Sequence, residues 1–459
     1  MSPPSRAERS LDQLKAEFAR GGTSRALVEQ CLSRIADSSG EGGRVFLKVN
    51  AAGALSAADY YDHLRAHGAA PSPFAGIPVS IKDLFDVAGE VTTAGSVVLR
   101  DAAAAAQDAP CVARLRAAGY IPIGRTNMTE FAFSGLGINP HYGTPLNSYD
   151  RAAGRIPGGS SSGAAVSVTD GMAFGALGTD TGGSCRIPAA LCGIVGFKPT
   201  AHRVPTAGAF PLSTSLDSVG PLAATVACCA VLDAVLAGEP AGDLPRFPLE
   251  GLRMAVPQTM VLDGVEPAVA RAFDAALAAL RKAGARIVDI PLRELAELAQ
   301  INAKGGLAAA QSYAIHRALI ARAENRYDPR VLTRLLRGQE QDAADYIDLV
   351  SARMDFIRRV AAVTAPYDAL VMPTLPVTAA RTTDLVADDA YRQVNFLVLR
   401  NPSVANFLDR CSISIPCHRP GEAPVGLMLI GEHDADRRLL SIAAAIEAAV
   451  SPSLGETAQ

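Results

Sequence analysis

The chain has 459 residues, a formal net charge of −3 and 49% hydrophobic residues, enough apolar material for a sizeable core. The charges are interspersed, which gives no reason to expect nucleic acid or an anionic membrane as partner. No window of about 18 uninterrupted apolar residues exists, so a membrane span is not expected. No secretory leader is expected from residues 1–55, and the eight cysteines are scattered without a Cys-x-x-Cys pair. They read as small buried hydrophobes, and a reducing cytoplasm is the expected location.

Along the chain, Leu11 and Leu14, then Leu27, Val28, Cys31, Leu32 and Ile35, fall at helical spacing. Gly21-Gly22 separates the two helices, and Thr23 or Ser24 can cap the second. A turn is expected over 38–43 and a further helix over 51–66. The character changes at Pro71. From there to Pro221, short β-like runs (77–81, 121–124, 174–177 and 194–197) alternate with Gly-rich, small-residue stretches. That alternation predicts an α/β layered fold. A helix over 226–236 precedes a Pro/Gly-rich stretch, 238–248. It reads as a surface excursion rather than a linker, so one domain over 1–459 is expected. A strand (253–256), a helix (268–283) and a strand (287–290) follow. Helices dominate 292–363; strands are expected over 369–372, 411–415 and 426–430, with a last helix over 436–450.

Several chemistries find no support. Of seven histidines, only His63 and His67 share a helix face at i, i+4, and they lack the HExxH context, so no metal is expected. Residues 159–163 formally fit G-x-S-x-G, but no clear strand precedes them and no histidine is organised to serve the serine. Gly158-Gly159-Ser160 and Gly182-Gly183-Ser184 lack the Lys-Ser/Thr that completes a phosphate loop, and no cofactor is expected. A lone Gly-Gly-Ser is ordinarily a turn.

Two such elements in one small-residue segment mean more. The second follows a strand-like run and precedes a short helix, with Pro188 tolerated in its first turn. Consecutive glycines there let several N–H groups converge beside a helix N-terminus, the physical recipe for an oxyanion hole. A serine in that position needs a base. Lys82 ends the apolar run GIPVSIK, whose burial could bring a lysine from its ordinary pKa to the 7–8 a catalytic base requires. Strand alternation sends Asp83 to the opposite face, where it need not hold Lys82 charged. Taken alone, a lysine at a strand end is ordinarily solvated.

The segments GIPVSIKDLFDV (76–87), GRTNMTEFAFS (124–134), GRIPGGSSSG (154–163) and GTDTGGSCRIPAALCGIVGFKPT (178–200) together resemble the amidase signature family, most densely over 73–221. The resemblance implies a large mixed central β-sheet covered by helices on both faces, an α/β/α fold. It implies a Ser-cisSer-Lys triad: Ser184 as nucleophile, Ser160 as the bridging serine behind a cis Gly159–Ser160 bond, and Lys82 as base. Oxyanion donors would be the N–H groups of Thr181, Gly182, Gly183 and Ser184, with Asp180 and Arg186 bracing the loop and Cys185 packing. Ser162 stands where many members have glycine. Phe131, Phe133, Ser134 and Gly135, with the loop 212–216, are expected to line the substrate pocket, although both aromatics can equally be core. Ser80 forms a rival Ser-x-Lys pair with Lys82 but lacks a Gly-rich loop of its own. The expected function is hydrolysis of a carboxamide, with a small-molecule amide as partner and homodimerisation left open. The alternatives are the ammonia-producing subunit of a tRNA-dependent amidotransferase, whose acidic clamp is not evident over 395–409, and a non-catalytic binding protein on the same fold.

Overall fold

Eleven strands join in one mixed sheet in the computed structural model, which describes residues 10–450. They are β1 (Phe46–Val49), β2 (Pro78–Lys82), β3 (Ile121–Thr126), β4 (Gly175–Asp180), β5 (Val195–Lys198) and β6 (Ser218–Ala223) in the first half. The second half adds β7 (Arg253–Pro257), β8 (Arg286–Ile290), β9 (Ala369–Pro373), β10 (Ser412–Pro416) and β11 (Gly426–Ile430). The spatial order is β1-β3-β2-β4-β6-β5-β10-β11-β9-β7-β8. The β2 strand runs parallel to β3 and β4, and β7 runs parallel to β8 and β9. The remaining neighbours are antiparallel. The chain therefore has the α/β architecture with a large mixed sheet that its motifs imply.

The apolar runs read as strands because both sheet faces are covered. Every residue of β2, β4, β6, β9, β10 and β11 is buried. Strands in that setting show continuous apolar character rather than alternation. Along β4, Leu177 packs with Phe197 and Val219, whereas its neighbour Ala176 packs with Ala164, Ala165 and Ala189. Successive side chains thus meet packed partners on opposite faces. The edge strand β8 is mostly exposed.

Local signals decide many boundaries. Ser10 forms a reciprocal capping box with Gln13, and Thr23, rather than Ser24, caps the helix Ser24–Ala36. The helix Ala51–Ala66 has the expected bounds. Residues 239–248 carry no regular structure and are largely exposed. The sequence reading missed β6, because Gly220 and Pro221 interrupt it. Pro221 is tolerated because β5 pairs with β6 only at Leu222 and Ala223. Gly220 is required because a Cβ there would lie 2.1 Å from the Phe197 carbonyl oxygen.

Candidate active site

The parallel register of β2 and β4, with Ser80 opposite Ala176 and Ile81 opposite Leu177, brings their C-terminal ends to one edge. Open α/β sheets bind ligands at such edges. The Lys82 side chain is fully buried, and its Nζ lies 2.8 Å from Ser160 Oγ and 2.8 Å from Thr179 Oγ1. Burial pushes its pKa down to about 7, against the pull of nearby Cys185, Asp180 and Asp217. Asp83 turns away as expected and meets Arg125 Nε at 2.7 Å.

Ser160 follows a cis Gly159–Ser160 peptide and stands just before the helix Ser162–Thr169. Neighbouring backbone clamps this turn. The Gly159 N–H donates to the Gly135 carbonyl at 2.8 Å, and the Thr129 N–H donates to the Ser160 carbonyl at 3.1 Å. Ser80 has a different partner: its hydroxyl lies 2.9 Å from Ser167 Oγ. Among the described residues it makes no hydrogen bond with Lys82.

The Gly-rich turn after β4 is built around Asp180. Its carboxylate accepts the N–H groups of Gly183 at 2.8 Å, Cys185 at 3.2 Å and Arg186 at 3.4 Å. The Arg186 guanidinium adds two hydrogen bonds, at 2.9 and 3.0 Å. Asn406 completes the cluster, donating to Asp180 at 2.9 Å and accepting from Arg186 at 2.7 Å. Burial works against the charge of Asp180, but Arg186 and Asn406 outweigh it and hold the pKa at about 2. Gly183 has φ +127°, and a Cβ there would meet Pro402 Cβ at 2.6 Å.

This geometry corrects one expectation. The Gly183 N–H is committed to Asp180, so it is not a free oxyanion donor. The N–H groups of Thr181, Gly182 and Ser184 donate to no acceptor among the described residues. The Ser184 hydroxyl likewise makes no hydrogen bond among them. The structure therefore joins Lys82 to Ser160 but does not join Ser160 to Ser184; catalytic hydrogen bonds often tighten only when substrate is bound. Cys185 is buried against the Gly220 carbonyl, 3.6 Å away, and burial pushes its thiol pKa up, as suits a packing residue.

A cleft lined by Leu84, Ala132, Thr179, Thr181, Phe210 and Asp217 opens beside this turn. Asp217 accepts the Thr181 hydroxyl at 2.5 Å and the Leu212 and Ser213 N–H groups at 3.0 and 3.1 Å. Burial raises its pKa to about 6. Phe131 and Ala132 adopt left-handed backbone, with φ +49° and +59°, a costly conformation for non-glycine residues that clusters at functional sites. The Phe131 ring meets Phe210, His316 and Tyr327 at centroid distances of 5.2, 4.4 and 5.4 Å. Burial lowers the His316 pKa to about 4, and its Nε2 has no partner among the described residues. Ser134 and Gly135 are held by Asn395, whose Oδ1 accepts from both at 2.9 and 2.8 Å, while Tyr391 donates to Ser134 Oγ at 2.8 Å.

The sequence reading missed Thr179, Asp217, Asn406 and His316. Thr179 sits within the segment GTDTGGS, but nothing local marks the other three. Among the described residues no three His, Cys, Asp or Glu side chains converge as a metal would need, and no helix is long and apolar enough to cross a membrane.

The family model Amidase matches residues 26–440. The chain is 38% identical over 405 residues to the 2-amino-5-chloromuconic acid deaminase of Comamonas testosteroni, covering 86% of each chain. It is 33% identical over 482 residues to a glutamyl-tRNA(Gln) amidotransferase component of Thioalkalivibrio sulfidiphilus, covering 95% of this chain and 96% of that one. Among solved structures, an amidase superimposes with a TM-score of 0.87 at 30% identity, covering 96% of this chain and all of the other (100%). A protein described in connection with the origins of an s-triazine catabolic enzyme gives 0.84 at 28% identity, covering 95% and 98%. Fold and relatives thus define the class, an amidohydrolase. The chain belongs to the amidase family.

Proposed function

We propose that the chain hydrolyses the C–N bond of a carboxamide through Ser184, Ser160 and Lys82, by way of an acyl-enzyme. The observation that carries this reading is the buried Lys82, with a pKa near 7 and its Nζ 2.8 Å from Ser160 Oγ. A neutral amine has one lone pair and two N–H groups. Thr179 Oγ1 accepts one N–H, which leaves the lone pair for the Ser160 proton.

Lys82 takes the proton of Ser160 as Ser160 takes that of Ser184. Ser184 Oγ attacks the amide carbon, and the N–H groups of Thr181, Gly182 and Ser184 receive the developing oxyanion. The C–N bond breaks as Ser160 returns a proton to the leaving nitrogen. Water then attacks the acyl-enzyme through the same relay, releasing a carboxylate and restoring Ser184. The Comamonas relative, named as a deaminase of an organic acid, supports release of nitrogen as ammonia.

The test is ammonia release from a panel of small amides by the purified chain without partners. At least one amide should be turned over, and Ser184→Ala should reduce the rate by at least a thousandfold. The amidotransferase components among the relatives favour a second reading. Turnover that appears only with an added partner protein and aminoacyl-tRNA would establish it instead.

A further inference from the structure

The helix Pro329–Leu336 buries Val331 and Leu335 and carries two arginines one turn apart. Arg330 is fully served: it stacks 4.4 Å from the Tyr391 ring centroid, meets Asp388 at 2.9 Å and donates to the Val386 carbonyl at 2.6 Å. Arg334 has only the aromatic contact. Its guanidinium lies 4.7 Å from the Phe133 ring centroid. Its Nε is buried without a partner, and among the described residues it makes neither a hydrogen bond nor an ion pair. Burial lowers its pKa, and no carboxylate contributes to its surroundings, only Tyr391 and Arg337.

The place of Arg334 relates it to the chemistry. Phe133 begins the segment whose Ser134 is tied to Tyr391 and Asn395 and whose Gly135 carbonyl holds the Gly159 N–H beside Ser160. Arg334 thus stacks on the residue two positions before the carbonyl that clamps the turn of the bridging serine. Stacking on that ring occupies the face of the guanidinium and leaves its N–H edge for a ligand. A planar fork of donors without a counterion, on a half-buried side chain, matches a carboxylate in shape and charge.

We propose that Arg334 binds a carboxylate of the substrate, so that the amide cleaved is one half of an amide–carboxylate pair, a monoamide of a dicarboxylic acid or its unsaturated analogue. This rests on the amidase reading above and narrows it to acidic substrates. A site built around an unpaired hydrogen-bonding group rejects analogues that leave it unpaired.

The experiment compares succinamate and maleamate with the neutral succinamide and butyramide, in the wild-type chain and in Arg334→Gln and Arg334→Lys. The wild type should favour the acid amides at least tenfold in kcat/KM. Arg334→Gln should collapse that ratio mainly through KM, and Arg334→Lys should restore part of it. A wild type without preference for the acid amides overturns the proposal. So does an Arg334→Gln variant that loses acid and neutral amides in equal proportion, which is the mark of a structural role. Calorimetric titration of succinate and maleate gives a readout independent of turnover. If no amide is hydrolysed the amidase reading fails, yet binding at least tenfold weaker in Arg334→Gln still supports the carboxylate site. Equal binding of both dicarboxylates to the wild type and Arg334→Gln overturns it.

Discussion

Arg186, under the Gly-rich turn, is fully buried, whereas Arg334, in the helical C-terminal part, is half-buried, and their surroundings differ in kind. Arg186 has the Asp180 carboxylate on two hydrogen bonds, with Asn406, Ser412 and the Pro402 carbonyl around it. Arg334 has a ring and an unpartnered Nε. Lys82 stands between them, bound by two hydroxyls and no carboxylate. A buried cation with its counterion belongs to the scaffold. One without a counterion is unfavourable for folding alone, and such groups concentrate where a reaction or a ligand needs them.

The largest effect is expected at Arg186. Arg186→Met leaves Asp180 as an uncompensated buried charge and should cost about 3–5 kcal/mol, read by urea unfolding. Adding Asp180→Asn should recover part of that loss. A single variant as stable as the wild type would remove Arg186 from the scaffold.

Lys82 sharpens the contrast because its two readouts move in opposite directions. Lys82→Met should abolish turnover yet raise stability. The folded-state pKa of Lys82, about 7, lies below its ordinary value. The unfolded chain therefore binds the extra proton between those two values, and wild-type stability rises with pH across that window. The advantage of Lys82→Met should be constant below about pH 7 and shrink above it, by up to ~1.4 kcal/mol per pH unit. Activity of the wild type should climb through about pH 7 to an alkaline plateau, because only the neutral amine accepts the Ser160 proton. Lys82→Arg should be inactive, since guanidinium stays protonated. A folded Lys82→Arg variant with near-wild-type turnover would take Lys82 out of the base role.

The smallest effect belongs to Ser80. Ser167 still donates to the Ala164 carbonyl at 2.8 Å when Ser80 is removed, so no buried proton is orphaned. Ser80→Ala should lose no more than about 1 kcal/mol and keep most activity. Loss of turnover with retained folding would restore Ser80 as the rival nucleophile.

Much of this is legible in the chain itself. The apolar run ending in Lys82 announces a covered strand, because continuous hydrophobicity over few residues is what a strand buried on both faces requires. The same run announces a desolvated lysine, and alternation correctly turns Asp83 away. The paired Gly-Gly-Ser turns and the helix Ala51–Ala66 are equally local matters of backbone freedom and spacing. Partnership is not local. Asn406 reaches Arg186 across 220 positions, and Asn395 reaches Ser134 across 261. The commitment of the Gly183 N–H to Asp180 depends on how a turn closes, which composition does not record. Arg334 looks like any helical surface arginine in the sequence. Only the folded chain distinguishes it from Arg330, because periodicity encodes which residues leave water, whereas the charges left paired or unpaired depend on segments that meet only after folding.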